Sequence, residues 1–92
     1  MEREIKHDRE KQKFYTIVDG HEALLDYSLE GNTMNFYHTY TPPELRGKGL
    51  AKIVVQFAFN YARENNLKVI PSCSYVQAFV KRYEEYQDLV AK

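Results

Sequence analysis

The sequence predicts an α+β fold: a three-stranded antiparallel meander, a right-handed βαβ crossover to a parallel fourth strand, then one or two C-terminal helices. Three observations carry this. The first half alternates apolar and polar residues between turn signals. The apolar period then switches from 2 to 3.6 at about Gly47. A short apolar run, Leu67 to Ile70, follows and closes at Pro71.

Lys13 to Val18 is rich in Phe, Tyr, Thr, Ile and Val and reads as the first strand. Asp19-Gly20 is a hairpin signal, because both central residues of a tight type I′ turn need positive φ. His21 to Leu29 alternates, with Ala23, Leu25, Tyr27 and Leu29 on one side. Glu30-Gly31-Asn32 turns the chain again into a third strand, Thr33 to Thr41. Pro42 and Pro43 end it, since proline cannot donate to the ladder. Leu50, Ile53, Val54, Phe57, Ala58, Tyr61 and Ala62 then form one helical stripe. Glu64-Asn65-Asn66 stops the helix, with asparagine suited to a left-handed cap. Beyond the fourth strand, Val76, Phe79, Val80 and Tyr83 mark a second helix, and Tyr86, Leu89 and Val90 a third.

Ninety-two residues make a single domain spanning 1–92, whose charged N-terminus, 1–12, is expected to be solvated and frayed. The formal net charge is zero, which argues against nucleic acid as a partner. The lone Cys73 excludes an internal disulfide and suits a reducing compartment. Met1 to Lys13 carries no apolar core of a signal peptide, and no stretch is long and apolar enough to span a bilayer. A cytoplasmic protein, monomeric or weakly dimeric, with no membrane partner is the expectation.

The most informative segment is Pro42-Pro43-Glu44-Leu45-Arg46-Gly47-Lys48-Gly49-Leu50-Ala51, where a strand passes through a basic glycine turn into the long helix. Bare glycine backbone, free N–H groups at the helix start and two cations together form a phosphate cradle. The spacing is not that of a P-loop, and the third glycine of a dinucleotide fingerprint is missing. A basic turn without a ligand is the plain alternative. Arg46, Gly49 and Ala51 fit Arg-x-x-Gly-x-Ala, which resembles the pyrophosphate-binding motif of the GNAT N-acetyltransferase superfamily. His38-Thr39 before the loop and Val69-Ile70-Pro71-Ser72-Cys73-Ser74-Tyr75-Val76 after the helix extend the likeness to the short, single-domain GNAT-like family.

The resemblance implies a GNAT-like core whose third and fourth strands splay apart, with acetyl-coenzyme A (acetyl-CoA) or coenzyme A (CoA) as cofactor and an unidentified amine as acceptor. Arg46, Gly47, Lys48, Gly49, Leu50 and Ala51 would hold the pyrophosphate. The backbone of Thr39, Tyr40 and Thr41 would bond the pantetheine arm in the splay. Two departures stand out. Asp19-Gly20 replaces the helices that commonly build the acceptor site, and Val80 takes the place of the family's proton-donating tyrosine. A CoA-binding module or sensor without catalysis is therefore the alternative to an enzyme.

Cys73 and His38 are the catalytic candidates. Cys73 sits past the fourth strand at a helix start, where a thiol pKa falls and a thiolate becomes available. His38 lies near the carboxyl end of the neighbouring strand, so a Cys–His pair is geometrically open. Cys73 has three readings: a covalent relay, a residue lining the thioester, or a small packed hydrophobe. Tyr75 and Tyr83 rank lower as phenolic acids. His7, His21, His38 and Cys73 share no ligand-like spacing, and His7 sits in a run expected to be solvated, so no metal is expected.

Overall fold

The computed structural model describes residues 4–91. Five strands, β1 (Lys6–Asp8), β2 (Lys13–Val18), β3 (His21–Glu30), β4 (Thr33–Tyr40) and β5 (Lys68–Pro71), form one sheet in sequence order. Neighbours are antiparallel up to β4, and β5 joins β4 in parallel. The crossover is made by α1 (Leu50–Glu64), and α2 (Ser74–Arg82) follows β5. Single 3₁₀ segments occupy Pro43–Leu45 and Glu84–Leu89.

The predicted turns have their physical causes in place. Asp19 and Gly20 both take positive φ, 52° and 77°, as a two-residue type I′ hairpin requires. Asn66 is left-handed at φ 57°, and the N–H groups of Leu67 and Asn66 bond back to the Ala62 and Arg63 carbonyls. That pattern satisfies two of the carbonyls the end of α1 leaves free.

Both helices pack on one face of the sheet. Phe14, Leu25, Tyr27, Met34, Phe36 and Val69 from the strands meet Val54, Val55, Ala58, Phe59 and Ala62 from α1 and Val76, Phe79 and Val80 from α2. The buried stripe of α1 is rotated from the predicted one: Val55 and Phe59 are buried, whereas Phe57 is exposed. The cause is α2 and the 3₁₀ segment after it, since Phe59 stacks on Phe79 at 5.6 Å and meets Tyr86 at 5.3 Å. Leu29 also departs from expectation: it is 47% exposed, although Met34, its partner across the ladder, is buried in the core.

The N-terminal segment differs from the frayed terminus expected over 1–12. Residues 1–3 lie outside the described range, but Lys6–Asp8 pairs with Lys13–Tyr15 and adds an edge strand. His7 is not solvated. It stacks on Phe14 at 4.1 Å, meets Tyr61 edge-on at 4.6 Å, and its Nε2 lies 2.6 Å from the Tyr27 hydroxyl. At the other terminus the expected third helix is the 3₁₀ segment. After it the Ala91 N–H bonds to the Val69 carbonyl at 2.8 Å, so the chain runs alongside β5.

Candidate cofactor site and active site

The glycine loop is held in an unusual backbone. Gly47 and Gly49 take φ of 82° and 72°, the left-handed region that side chains disfavour, and the space a Cβ would occupy at each is empty. Gly49 caps α1 without any side-chain bond, and the first amide to bond back is Ile53, onto Gly49. The N–H groups of Leu50, Ala51 and Lys52 therefore have no backbone acceptor among the described residues. Arg46 is fixed from the other side, its Nε donating to the Thr41 carbonyl at 3.2 Å, which leaves its outer nitrogens directed elsewhere. Leu45 and Leu50 anchor the loop in a small cluster with Ala23. Above them Thr41, Leu45, Arg46, Gly47, Gly49, Leu50, Ala51, Lys52 and Tyr75 line a shallow groove of about 240 Å³. Open backbone donors, a cation and the positive end of a 15-residue helix converge there.

Below the loop, β4 and β5 part company. Their pairing ends at Phe36 and Pro71, and the last link is the Cys73 N–H to the Phe36 carbonyl at 3.0 Å. From Tyr37 to Tyr40, β4 has β3 on one side and, among the described residues, no strand on the other. Cys73 stands at the apex of this opening as the residue before α2. Its Sγ lies 3.4 Å from the Thr39 hydroxyl. Burial alone would push the thiol up, but the Thr39 hydroxyl and the N–H groups of Val76, Tyr75 and Thr39 outweigh it, and the pKa falls below the ordinary thiol value. This is a poised sulfur, half-buried between polar donors and core.

His38 is placed elsewhere. The register pairs Leu25 with Thr39 and Asp26 with His38, so Thr39 shares the helix-covered face and His38 the open one. The structure brings Cys73 to Thr39, not to His38. Thr39 entered the sequence reading for its backbone only, and its side-chain contact with a residue 34 positions away had no local signal. Of the phenols, Tyr75 borders the loop groove and Tyr83 lies farther along α2. Burial and the nearby Tyr83 hold the Tyr75 phenol above its ordinary pKa, so it keeps its proton. His7, His21 and His38 sit on β1, the first residue of β3 and the open face of β4, apart from one another and from Cys73. No helix among the described residues is long and apolar enough to cross a membrane.

Known proteins are similar to this chain in sequence and fold. Protein NATD1 of Xenopus tropicalis is 35% identical over 80 residues, covering 84% of this chain and 73% of the relative. The human Protein NATD1 is 34% identical over 80 residues, with 84% and 71% covered. A GCN5-like protein from Staphylococcus aureus, solved by NMR in solution, superposes with a TM-score of 0.76 at 35% identity, covering 96% of this chain and 87% of that one. The model of the GCN5-related N-acetyltransferases matches residues 13–89, which takes in the whole crossover, loop and sulfur site, and the chain belongs to that family.

Proposed function

We propose that this protein is an acetyl-CoA-dependent N-acetyltransferase acting on a small-molecule or peptide amine, a minimal form of its family. One observation carries the reading above all: the loop with its open N–H groups and the gap between β4 and β5 lead, one after the other, to the Cys73–Thr39 pair. The pyrophosphate sits on Arg46, Gly47, Lys48, Gly49, Leu50 and Ala51. The unpaired edge of β4 at Thr39, Tyr40 and Thr41 bonds the pantetheine amides, which orients the thioester toward Cys73.

A neutral amine attacks the thioester carbonyl, the C–S bond breaks, and the one proton the amine nitrogen gives up on becoming an amide balances the one the departing thiolate takes up. The family's tyrosine is replaced by Val80, which is buried in the core, so it supplies none. Cys73 and Thr39 are the polar groups at the apex and take over the handling of the sulfur end. His38, on the open face, belongs to the acceptor side of this reading rather than to a Cys–His pair. A lone thiol with a lowered pKa also fits a cytoplasmic, reducing setting.

The second reading, a CoA-binding module or sensor without turnover, is favoured by the tight Asp19-Gly20 turn where acceptor helices would stand. Intact mass and CoA release distinguish the two after incubation with acetyl-CoA and a panel of amines. The enzyme releases CoA only when an amine is present. Binding without release for every amine leaves the module, and no binding at millimolar acetyl-CoA overturns both.

A further inference from the structure

The open face of the sheet, away from the helices, carries a groove of its own. Ser28, Leu29 and Glu30 of β3, Thr33 and Asn35 of β4 and Ile70 of β5 line about 330 Å³. The register brings these residues together. Ser28 pairs with Asn35 and Asn35 with Ile70, and two residues along, about 7 Å, Glu30 pairs with Thr33. Asn35 and Ile70 immediately precede Phe36 and Pro71, the last pair that joins β4 to β5. The groove therefore starts at the foot of the gap whose apex holds Cys73, on the opposite face from the helices.

Its polar groups lack partners of opposite kind. Asn35 Oδ1 is buried and accepts no hydrogen bond among the described residues, a state that is unfavourable until a donor reaches it. The terminal torsion of an asparagine is soft, so a small turn of the amide presents that oxygen to the groove. Glu30 is exposed and makes no ion pair among the described residues. No cation lines the groove, and Lys68, the partner of Thr33 in β5, is drawn away to the Asp88 carbonyl at 2.8 Å. One carboxylate is too little for a divalent metal ion, and the described residues gather no group of three His, Cys, Asp or Glu. Between the polar groups stand Leu29 and Ile70, 47% and 41% exposed. An acceptor oxygen, an apolar wall and an unneutralised carboxylate, in that order from the gap, match an organic cation on a methylene chain.

Resting on the acetyl-transfer reading above, we propose that this groove selects the acceptor, and that the acceptor is a short diamine. The reacting nitrogen stands at the gap and donates an N–H to Asn35 Oδ1. The methylenes lie against Ile70 and Leu29, and the distal ammonium pairs with Glu30. The step of about 7 Å between the Asn35 and Glu30 rows is the span of a chain of about four or five methylenes. Loss of a proton at one nitrogen leaves the other charged, so attack and recognition use different ends of one molecule. The sheet thereby supplies the acceptor recognition that the tight Asp19-Gly20 turn leaves without helices.

CoA release from acetyl-CoA, measured with 1,5-diaminopentane and with pentylamine, tests this, since the second amine lacks only the distal ammonium. Two equivalent ends alone give the diamine a twofold lower KM. Wild type is expected to show about two- to fivefold beyond that factor, the scale of one part-exposed ion pair. Glu30→Gln should reduce the advantage to the bare factor of two. Glu30 is exposed, and the amide spectrum of the free variant checks that it folds. In titration of the free wild type, 1,5-diaminopentane should move the amides of Ser28, Glu30, Thr33, Asn35 and Ile70. A wild-type advantage of no more than twofold, an advantage that survives Glu30→Gln, or shifts confined to other residues overturns the groove. Turnover of any amine in those cases leaves the acetyltransferase reading standing. Binding of acetyl-CoA with no CoA release for any amine overturns that reading and the acceptor role of the groove together.

Discussion

Gly49 separates the conformational demand of the loop from its role in binding. Its φ of 72° costs a residue with a Cβ about 1–2 kcal/mol, while the empty space around that Cβ adds no clash. Gly49→Ala should therefore unfold with a midpoint lower by roughly 5–15 °C, given about 4–8 °C per kcal/mol in a domain of this size. Gly31 is the control: it also has positive φ, 59°, and open space, but sits in the β3–β4 turn at the other end of the sheet. Gly31→Ala should lose similar stability and bind CoA as wild type does. Gly49→Ala should bind more weakly, and Gly49→Glu should not bind, because its carboxylate enters the space where the N–H groups of Leu50 to Lys52 converge. Thermal unfolding followed by circular dichroism reads the first effect, and NMR titration of the folded variants reads the second. A Gly49→Glu protein that folds and binds CoA like wild type would show that the loop is only a turn.

Three further outcomes follow from the same geometry. Arg46→Ala should weaken CoA binding by about 1–3 kcal/mol in calorimetric titration, since it removes one charged donor from an otherwise intact loop. Thr39→Val removes the hydroxyl that helps hold the Cys73 pKa down, so iodoacetamide labelling of Cys73 at neutral pH should slow and its pH midpoint rise; an unchanged profile would remove Thr39 from the site. Burial, aided by Arg9 and opposed by Asp8, lowers the His7 pKa from 6.5, so the unfolded chain binds the extra proton first. Stability should thus fall as pH drops from 7 through 6.5 toward the folded value, and chemical denaturation of His7→Phe should lack that fall.

How much was legible depends on how local each determinant is. The loop is written in ten consecutive residues, and its turns and caps follow from the rules for Gly, Pro and Asn, so Asp19-Gly20, Asn66 and Gly49 stand where the sequence places them. What lay beyond the sequence depends on tertiary partners. The buried face of α1 is set by α2 arriving against Phe59, and no periodicity within α1 contains that contact. Lys6 to Asp8 reads as a charged terminus because its strand character comes from pairing with β2. His7 is held by Phe14, Tyr27 and Tyr61, none of them neighbours in sequence.

The Cys–His pair fails for a single structural reason. Met34 and Phe36 face the helices, and uninterrupted alternation would turn His38 inward as well, beside Cys73. Instead the register slips between Asp26 and Tyr27: Tyr27 stands opposite Phe36, Asp26 opposite His38, and Tyr37 is left as the extra residue of a bulge. One added residue inverts every side chain that follows. It carries His38 to the open face and brings Thr39 inward, where its hydroxyl meets the sulfur at 3.4 Å. The bulge also lies where β4 loses β5, so it chooses which side chain faces the gap. A strand sequence such as Phe36-Tyr37-His38-Thr39 shows no glycine or proline to announce this. The chemistry of the apex, a thiol next to a hydroxyl rather than an imidazole, is therefore set by register and not by residue type.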